Sequence, residues 1–458
     1  MEHYIFAAYC LLAVLALIQA FLGGLQTWEH RRFARNRFKD LPDCRPRGKA
    51  MIFAPCKGVD LDLKKNLQRL FQQDYEEYEI TFIVQTSSDP ACALIEDLMA
   101  ENRHIRSHLV IAGKADAPGD GKISGQKVHN LRVATENLSP EIDFLVFVDS
   151  DSQPRKEWLR ALVGRLGKRQ RHNMGAATGY RWMVPERATP ANCLLYSINC
   201  GITTLLGTKS NYPVWGGSWA IRRETFEAID LHDRWAGTLS DDLVATQVLA
   251  EQNRPVKYEP ACLVTSPIDG NFRETFSFLR RQYLIARFYT PGWWFLALVT
   301  MTVVSLIWPA SIAMLCVAIW AGTTAYGDLL FWLPVSVLAS FYGLGVYRGW
   351  LRQSLVKLYF PHMHKQLRGA RLFDILAGPM ASWTHWAALV AASLGRTITW
   401  RNITYRLYED GRVETVSQYP LELKAFGNTA DGELAGGTYY TKLNATENEQ
   451  STGTQRAA

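Results

Sequence analysis

No Asp, Glu, Lys or Arg occurs between His3 and Trp28, between Phe288 and Gly327, or between Leu329 and Tyr347. Each gap is near or above the about 20 apolar residues that a bilayer-spanning helix needs. Order among the cysteines is also missing: the eight are scattered, and no Cys-x-x-Cys pair occurs. That disfavours a zinc site or a disulfide framework and suits a reducing, cytoplasmic setting. There is no Gly-x-x-x-x-Gly-Lys-Ser/Thr loop, so a P-loop nucleotidase is disfavoured. With 48% hydrophobic residues the chain is not disordered as a whole. Basic charge is not spread evenly either. Of the net +7, residues 30–49 carry +6 and residues 348–371 carry +6 with no acid, so the remainder is negative. Both patches begin where an uncharged stretch ends, which points to a membrane surface and not to nucleic acid.

The first uncharged stretch is followed, not preceded, by its positive residues Arg31, Arg32, Arg35, Arg37 and Lys39. A cleaved signal peptide has the opposite order. Residues 1–28 are therefore expected to form an uncleaved anchor with an outside N-terminus. One long span at 291–322, a short loop at Gly322–Asp328 and a return span at 328–347 keep the basic segment 348–373 on the cytoplasmic side. The weaker stretch 374–396 is expected either to span or to lie in the interface. Nine of the fifteen Trp follow residue 290, mostly near segment ends, as interfacial Trp tends to do. Gly427–Ala458 has few large apolar residues and is expected to be disordered.

Between the membrane parts, residues 48–290 read as one soluble block. Strand patterns at Ala50–Pro55, Tyr78–Gln85, Ser107–Ala112 and Asp143–Val148 alternate with helix patterns at Leu61–Phe71, Pro90–Glu101 and Lys127–Glu136. This alternation predicts a mostly parallel, doubly wound α/β sheet. Ligands bind such sheets beyond the carboxyl ends of the strands.

Five local features could carry chemistry there. Phe147-Val148-Asp149-Ser150-Asp151 runs an apolar strand into two carboxylates, a hard oxygen site for a divalent cation holding a diphosphate. The plain alternative is an Asx turn. Ser240-Asp241-Asp242 opens a helical run; adjacent acids there act as caps or supply a general base. Lys127 follows a Gly-rich loop at a helix start, where phosphate can be held, or where it is only solvated. Trp215-Gly216-Gly217 is either a tight turn that brings backbone near a ligand or a plain loop. Finally, Arg280-Arg281-Gln282-Tyr283 with Arg287 leads into a membrane span, either as a snorkelling interfacial helix or facing a diphosphate.

Taken in order, these residues resemble the membrane ceramide glucosyltransferases and their bacterial relatives among the inverting glycosyltransferases. Pro55-Cys56-Lys57-Gly58-Val59-Asp60, Asn66-Leu67 and Asp74-Tyr75 are similar to that family's opening. Val84-Gln85, Asp89-Pro90-Ala91 and Lys127-Val128-His129-Asn130-Leu131 are similar to later segments, and Thr397-Ile398-Thr399-Trp400-Arg401 to its tail. Two positions depart: Thr86 stands where the family has its first aspartate, and Leu284-Ile285 stand where Arg-Trp would complete the motif opening at Arg281.

The resemblance implies a GT-A-type nucleotide-sugar domain attached to transmembrane helices. It implies transfer from a UDP-sugar, UDP-glucose above all, to a lipid hydroxyl at the bilayer surface, ceramide-like above all, with inversion. Asp149 and Asp151 would hold Mg2+ or Mn2+, and Asp242 would be the base. Asp89, Lys127, Asp149 and Arg281 would contact the donor. Trp215, Gly216, Gly217, Asp241, Gln282 and Arg287 would shape the acceptor side. The catalytic domain is then cytoplasmic, at a bacterial inner membrane or a Golgi or ER membrane. Other readings use the same residues: a diacylglycerol or hopanoid acceptor, a processive polysaccharide synthase, or an inactive lipid-binding homologue.

Overall fold

The computed structural model describes residues 2–59, 61–115, 122–167, 173–321 and 329–418. Asp60, part of the Gly-rich loop, the loop 322–328 and the tail 427–458 lie outside the described residues.

The chain opens with α1 (Glu2–Asp40), whose 39 residues extend about 58 Å at 1.5 Å each. The soluble block then builds β1 (Lys49–Pro55), α2 (Leu63–Gln68), β2 (Tyr78–Val84), α3 (Ala91–Glu101), β3 (Ser107–Ile111), α4 (Gln126–Thr135) and β4 (Ile142–Val148). Next come α5 (Trp158–Leu166), β5 (Ala176–Pro185), α6 (Pro190–Thr203), β6 (Ser218–Arg222), α7 (Arg223–Ala228), α8 (Leu231–Arg234), α9 (Asp241–Glu251) and β7 (Val256–Ile268). One seven-stranded sheet results, in the order β3-β2-β1-β4-β6-β5-β7. Strands β1 to β4 pair in parallel, and β6 runs antiparallel to both neighbours. This is a mixed α/β sheet whose strands β1 to β4 run parallel, as the strand–helix alternation predicts.

Both faces of the sheet are covered, so its central strands read as unbroken apolar runs; all seven residues of β2 are buried. Ile52, Phe82 and Val146 pack against Leu67, Ile95 and Trp158 on one face. Phe53, Phe147 and Trp219 pack against Val128, Leu131 and Val248 on the other. Under the carboxyl end of β4, Phe147 stacks on Trp219 at 4.3 Å and meets Trp235 edge-on at 5.8 Å. These rings fix the strand end from which Asp149 projects. In β5, a Cβ on Gly179 would come within 2.1 Å of the Cys262 carbonyl oxygen. Only glycine allows that close approach, at the register shift between Thr178 and Tyr180.

Helix α10 (Phe272–Tyr289) leads into α11 (Pro291–Ala321), followed by α12 (Leu329–Gln353), α13 (Val356–Tyr359), α14 (Arg368–Leu376) and α15 (Gly378–Ala392). Among the described residues, three helical segments are long and apolar enough to cross a membrane: His3–Asp43, Pro291–Trp320 and Leu330–Tyr359. They pack on one another through Tyr9, Ala13, Ala16, Ile307 and Val337, with the Tyr9 hydroxyl 3.1 Å from Ser311 Oγ. Small residues such as Ala13 and Ala16 allow this close approach. Pro309 lies inside α11 without ending it. Helix α15 has 15 residues, short of the about 20 needed to span. The chain then returns to the soluble domain as a three-stranded sheet of β8 (Thr397–Trp400), β9 (Ile403–Leu407) and β10 (Val413–Gln418).

A buried polar network ties the two halves together. Asp374 on α14 accepts from Arg352 at 2.6 and 2.9 Å and from Ser197 Oγ on α6 at 2.6 Å. Tyr196, also on α6, donates to Gln353 at 2.7 Å. Asp374→Ala would leave Arg352 buried without this carboxylate, which costs about 3–5 kcal/mol. Thermal unfolding of the detergent-solubilised variant is expected to start well below wild type, with Asp374→Asn between the two. An unchanged midpoint for Asp374→Ala would refute this role.

Candidate active site

Beyond the carboxyl ends of β1 and β4 lies a cavity of about 490 Å³. Its polar floor comes from three element starts and ends. Asp149 follows β4. Lys127 sits in the first turn of α4, whose entry is pinned by Gly125 N donating to the Thr238 carbonyl at 2.8 Å and Gln126 N donating to Tyr405 Oη at 3.1 Å. Asp241 and Asp242 open α9, held by Trp235 Nε1 donating to the Asp241 carbonyl at 2.9 Å.

Lys127 is the hinge of this floor. Its Nζ lies 2.8 Å from Asp149 Oδ1 and 3.0 Å from Asp241 Oδ1. Burial opposes the Lys127 charge, but the carboxylates of Asp149, Asp241 and Asp242 outweigh it and raise its pKa. Burial likewise opposes the Asp149 charge; Lys127 prevails and holds that carboxyl below its usual range. Asp241 goes the other way. Burial first, then the neighbouring carboxylates, push it up to about 7 against the pull of Lys127. Among the described residues, its buried Oδ2 has no hydrogen-bond partner. Asp242 is fully engaged by comparison: Oδ2 accepts from Gly216 N at 2.8 Å, and Oδ1 accepts from Leu243 N at 2.8 Å and from Ser240 Oγ at 2.5 Å.

The Trp215-Gly216-Gly217 turn shapes the space above. Trp215 N donates to Thr178 Oγ1 at 3.0 Å, and the Trp215 ring meets Tyr180 edge-on. A Cβ on Gly216 would lie 2.9 Å from Lys127 Nζ, and one on Gly217 would lie 2.3 Å from the Trp215 ring and 2.9 Å from Asp149 Oδ2. Both glycines are thus required by close approach, not by a left-handed backbone.

A collar of cations faces the carboxylates. Arg181 stands over the Trp215 and Phe278 rings and lies 3.8 Å from Asp151. Arg281 stands over the other neighbour it shares, Phe278, and donates to the Thr399 carbonyl at 3.5 Å. Burial, then Arg181 and Arg401, lower its pKa to about 10. Arg401 has a left-handed φ of 54° and donates to the Lys57 carbonyl. Lys57 donates to Gln85 Oε1 at 3.2 Å, and burial together with Arg401 lowers its pKa to about 8. So concentrated a positive field suits a diphosphate.

Most of the residues picked out by sequence meet here: Lys127, Asp149, Asp151, Trp215, Asp241, Asp242, Arg281 and Gln282 line the cavity. Two do not. Asp89 is buried outside it, and its Oδ1 accepts from Gly58 N at 2.8 Å and Ala91 N at 2.9 Å, so it shapes the loop that carries Lys57. Arg287 turns away to the Ala392 carbonyl, 2.7 Å from Nη1. Of the departures, Thr86 Oγ1 lies 3.0 Å from Ser88 Oγ, Leu284 is fully buried in the core, and Ile285 lines the cavity. Lys57, Arg181 and Arg401 were not identified as site residues from sequence; for Lys57 and Arg401 the Pro-Cys-Lys-Gly and Thr-Trp-Arg segments were the available signal.

Among the described residues, no group of three or more His, Cys, Asp or Glu converges as a metal centre. Asp149 and Asp151 nevertheless line one cavity as a pair of hard oxygen donors. Mg2+ commonly uses one or two carboxylates, with phosphate oxygens and water completing its shell. The residues therefore fit a divalent cation that arrives with a diphosphate.

A mixed α/β sheet with acids beyond its central strands is joined to three helical segments that, among the described residues, are able to cross a membrane. The chain belongs to glycosyl transferase family 21, whose family model matches residues 10–413. A ceramide glucosyltransferase of Komagataella phaffii (strain GS115 / ATCC 20864) is 28% identical over 139 residues, 30% of this chain and 26% of that protein. The match thus spans about a quarter of that relative's length. Among solved structures, the mannosyltransferase PcManGT from Pyrobaculum calidifontis in complex with GDP-Man and Mn2+ is 17% identical, covering 83% of this chain and 97% of that one, with a TM-score of 0.42. S. aureus TarS 1-349 in complex with UDP-GlcNAc is 11% identical, covering 81% of this chain and 100% of that one, with a TM-score of 0.33.

Gly217→Ala should lower the transfer rate by about a hundredfold, because displacing reacting groups by even 1 Å costs that much. The check is the rate of sugar transfer beside the melting midpoint. A variant that transfers at the wild-type rate would show that the Trp215–Asp149 spacing is not limiting.

Proposed function

We propose that the protein transfers a sugar from a UDP-sugar, UDP-glucose, to the head-group hydroxyl of a ceramide-like membrane lipid, with inversion. One observation carries this reading: the cavity is polar at one end and apolar at the other. Lys57, Lys127, Asp149 and Arg401 line the first; Leu195, Ile198, Ile202, Phe278 and Leu279, which pack in one cluster, line the second. The apolar end is built by α6 and α10, which contact α15 and, through α10, α11. A lipid entering from the bilayer would lay its chains there and bring its hydroxyl to the carboxylates. The basic ends of α1 and α12 seat this mouth on the cytoplasmic surface, with α15 in the interface.

The acceptor oxygen attacks the anomeric carbon as the bond to the diphosphate breaks on the opposite side. The acceptor proton passes to Asp242, and UDP leaves with the bonding electron pair. Arg181, Arg281 and Arg401 stabilise the negative charge that develops on it. A cation held by Asp149 and Asp151 would supply further charge neutralisation there. Lys127 keeps Asp149 ionised and in place, and the Gly216 amide aims Asp242.

The buried, unpartnered Oδ2 favours a second reading in which Asp241 takes the proton. The two readings separate by experiment. Membranes are incubated with labelled UDP-sugar and the lipids extracted. If Asp242 is the base, Asp242→Asn lowers transfer by about 10²–10⁴-fold while UDP still binds. If Asp241 is the base, Asp241→Asn carries that loss and the wild-type rate falls as pH drops below about 7, where its carboxyl becomes protonated. Failure of wild-type protein to label any lipid would overturn the lipid acceptor.

A further inference from the structure

A second groove lies beside the basic end of α1, and it shares no lining residue with the catalytic cavity. It encloses about 600 Å³ between α1 and Leu358 of α13. Trp28, Arg31, Arg32, Arg35 and Lys39 line it, spaced by threes and fours so that they share one helix face.

These four cations are arranged unlike the others nearby. Arg37, on another face of α1, is paired with Glu259 at 2.7 Å. Among the described residues, no carboxylate lies within ion-pair distance of Arg31, Arg32, Arg35 or Lys39. Among the described residues, the buried Arg31 Nε has no hydrogen-bond partner. Arg31 and Arg35, and Arg35 and Lys39, are like charges four residues apart, which destabilises a helix. The Arg32 guanidinium lies 5.4 Å from the centre of the half-exposed Trp28 ring. A helix that concentrates unpaired charge around a concave site is built for an anion.

We propose that this groove binds the phosphate of one anionic phospholipid. Its position favours a lipid over a free ion. The cations begin where the uncharged stretch of α1 ends, at the level of an interfacial Trp. Acyl chains would run back along the apolar length of α1, while Leu358 and Trp28 cover the glycerol region. The attraction is worth about fivefold in affinity for each Lys or Arg. The groove and the catalytic cavity have no lining residue in common, so lipid retention is read directly and not through activity.

The test is native mass spectrometry of the full-chain protein in detergent, titrated with phosphatidylglycerol, phosphatidylcholine or inorganic phosphate. Wild type should retain one phosphatidylglycerol at least tenfold more tightly than phosphatidylcholine. The triple variant Arg32→Gln, Arg35→Gln, Lys39→Gln should lose that preference. Arg35→Gln alone should weaken it about fivefold, which covers the case of a misfolded triple variant. Equal retention of phosphatidylglycerol by Arg35→Gln and wild type would overturn the proposal. So would equal retention of the two lipids by wild type, or displacement of phosphatidylglycerol by equimolar inorganic phosphate.

Discussion

The ammonium of Lys127, held between Asp149 and Asp241, is the interaction on which the rest of the site depends. Three carboxylates from two distant segments crowd the floor of a buried cavity, and without a cation among them they would repel. Lys127 resolves this unequally: Asp149 stays ionised, while Asp241 is pushed up to about 7. The Gly216-Gly217 turn exists because this cluster leaves no room for a side chain. The aromatic stack of Phe147, Trp219 and Trp235 beneath it supplies the rigidity that a preorganised site requires.

The parts of the chain that pack in the membrane region also build the cavity. Helix α6 packs on β5 at one side and on α14 and α15 at the other. Asp374 and Gln353 fix it there through Ser197 and Tyr196. After the last helices the chain comes back as β8 to β10 to place Arg401 on Lys57 and Tyr405 against the start of α4. The donor end is therefore closed by residues on the far side of the membrane segments in sequence. A site assembled this way ties catalysis to correct seating on the helices.

Sequence pattern was informative where the physics is local. Strand β2 was expected at Tyr78–Gln85 and is found at Tyr78–Val84, because an apolar run between turn residues has few other ways to be buried. The uncharged stretches are legible for the same reason. What could not be read locally was tertiary. Asp89 was expected to contact the donor because it is the carboxylate nearest the place where Thr86 replaces the family's aspartate, yet the amides of Gly58, in the loop after β1, and Ala91, at the start of α3, use it. Arg287 shares a helix with Arg281 but points to α15, a direction set by packing and not by charge. Arg181 carried no motif at all; its position over Trp215 comes from the β5 register.

The most direct test of the central role of Lys127 is UDP binding and lipid-linked sugar transfer by Lys127→Met, measured on the same folded preparation. Removing the ammonium leaves Asp149 and Asp241 facing each other, so transfer should fall by roughly 10²–10³-fold, with UDP binding weakened as Asp149 and Asp241 move apart. Transfer and binding within twofold of wild type would contradict the account.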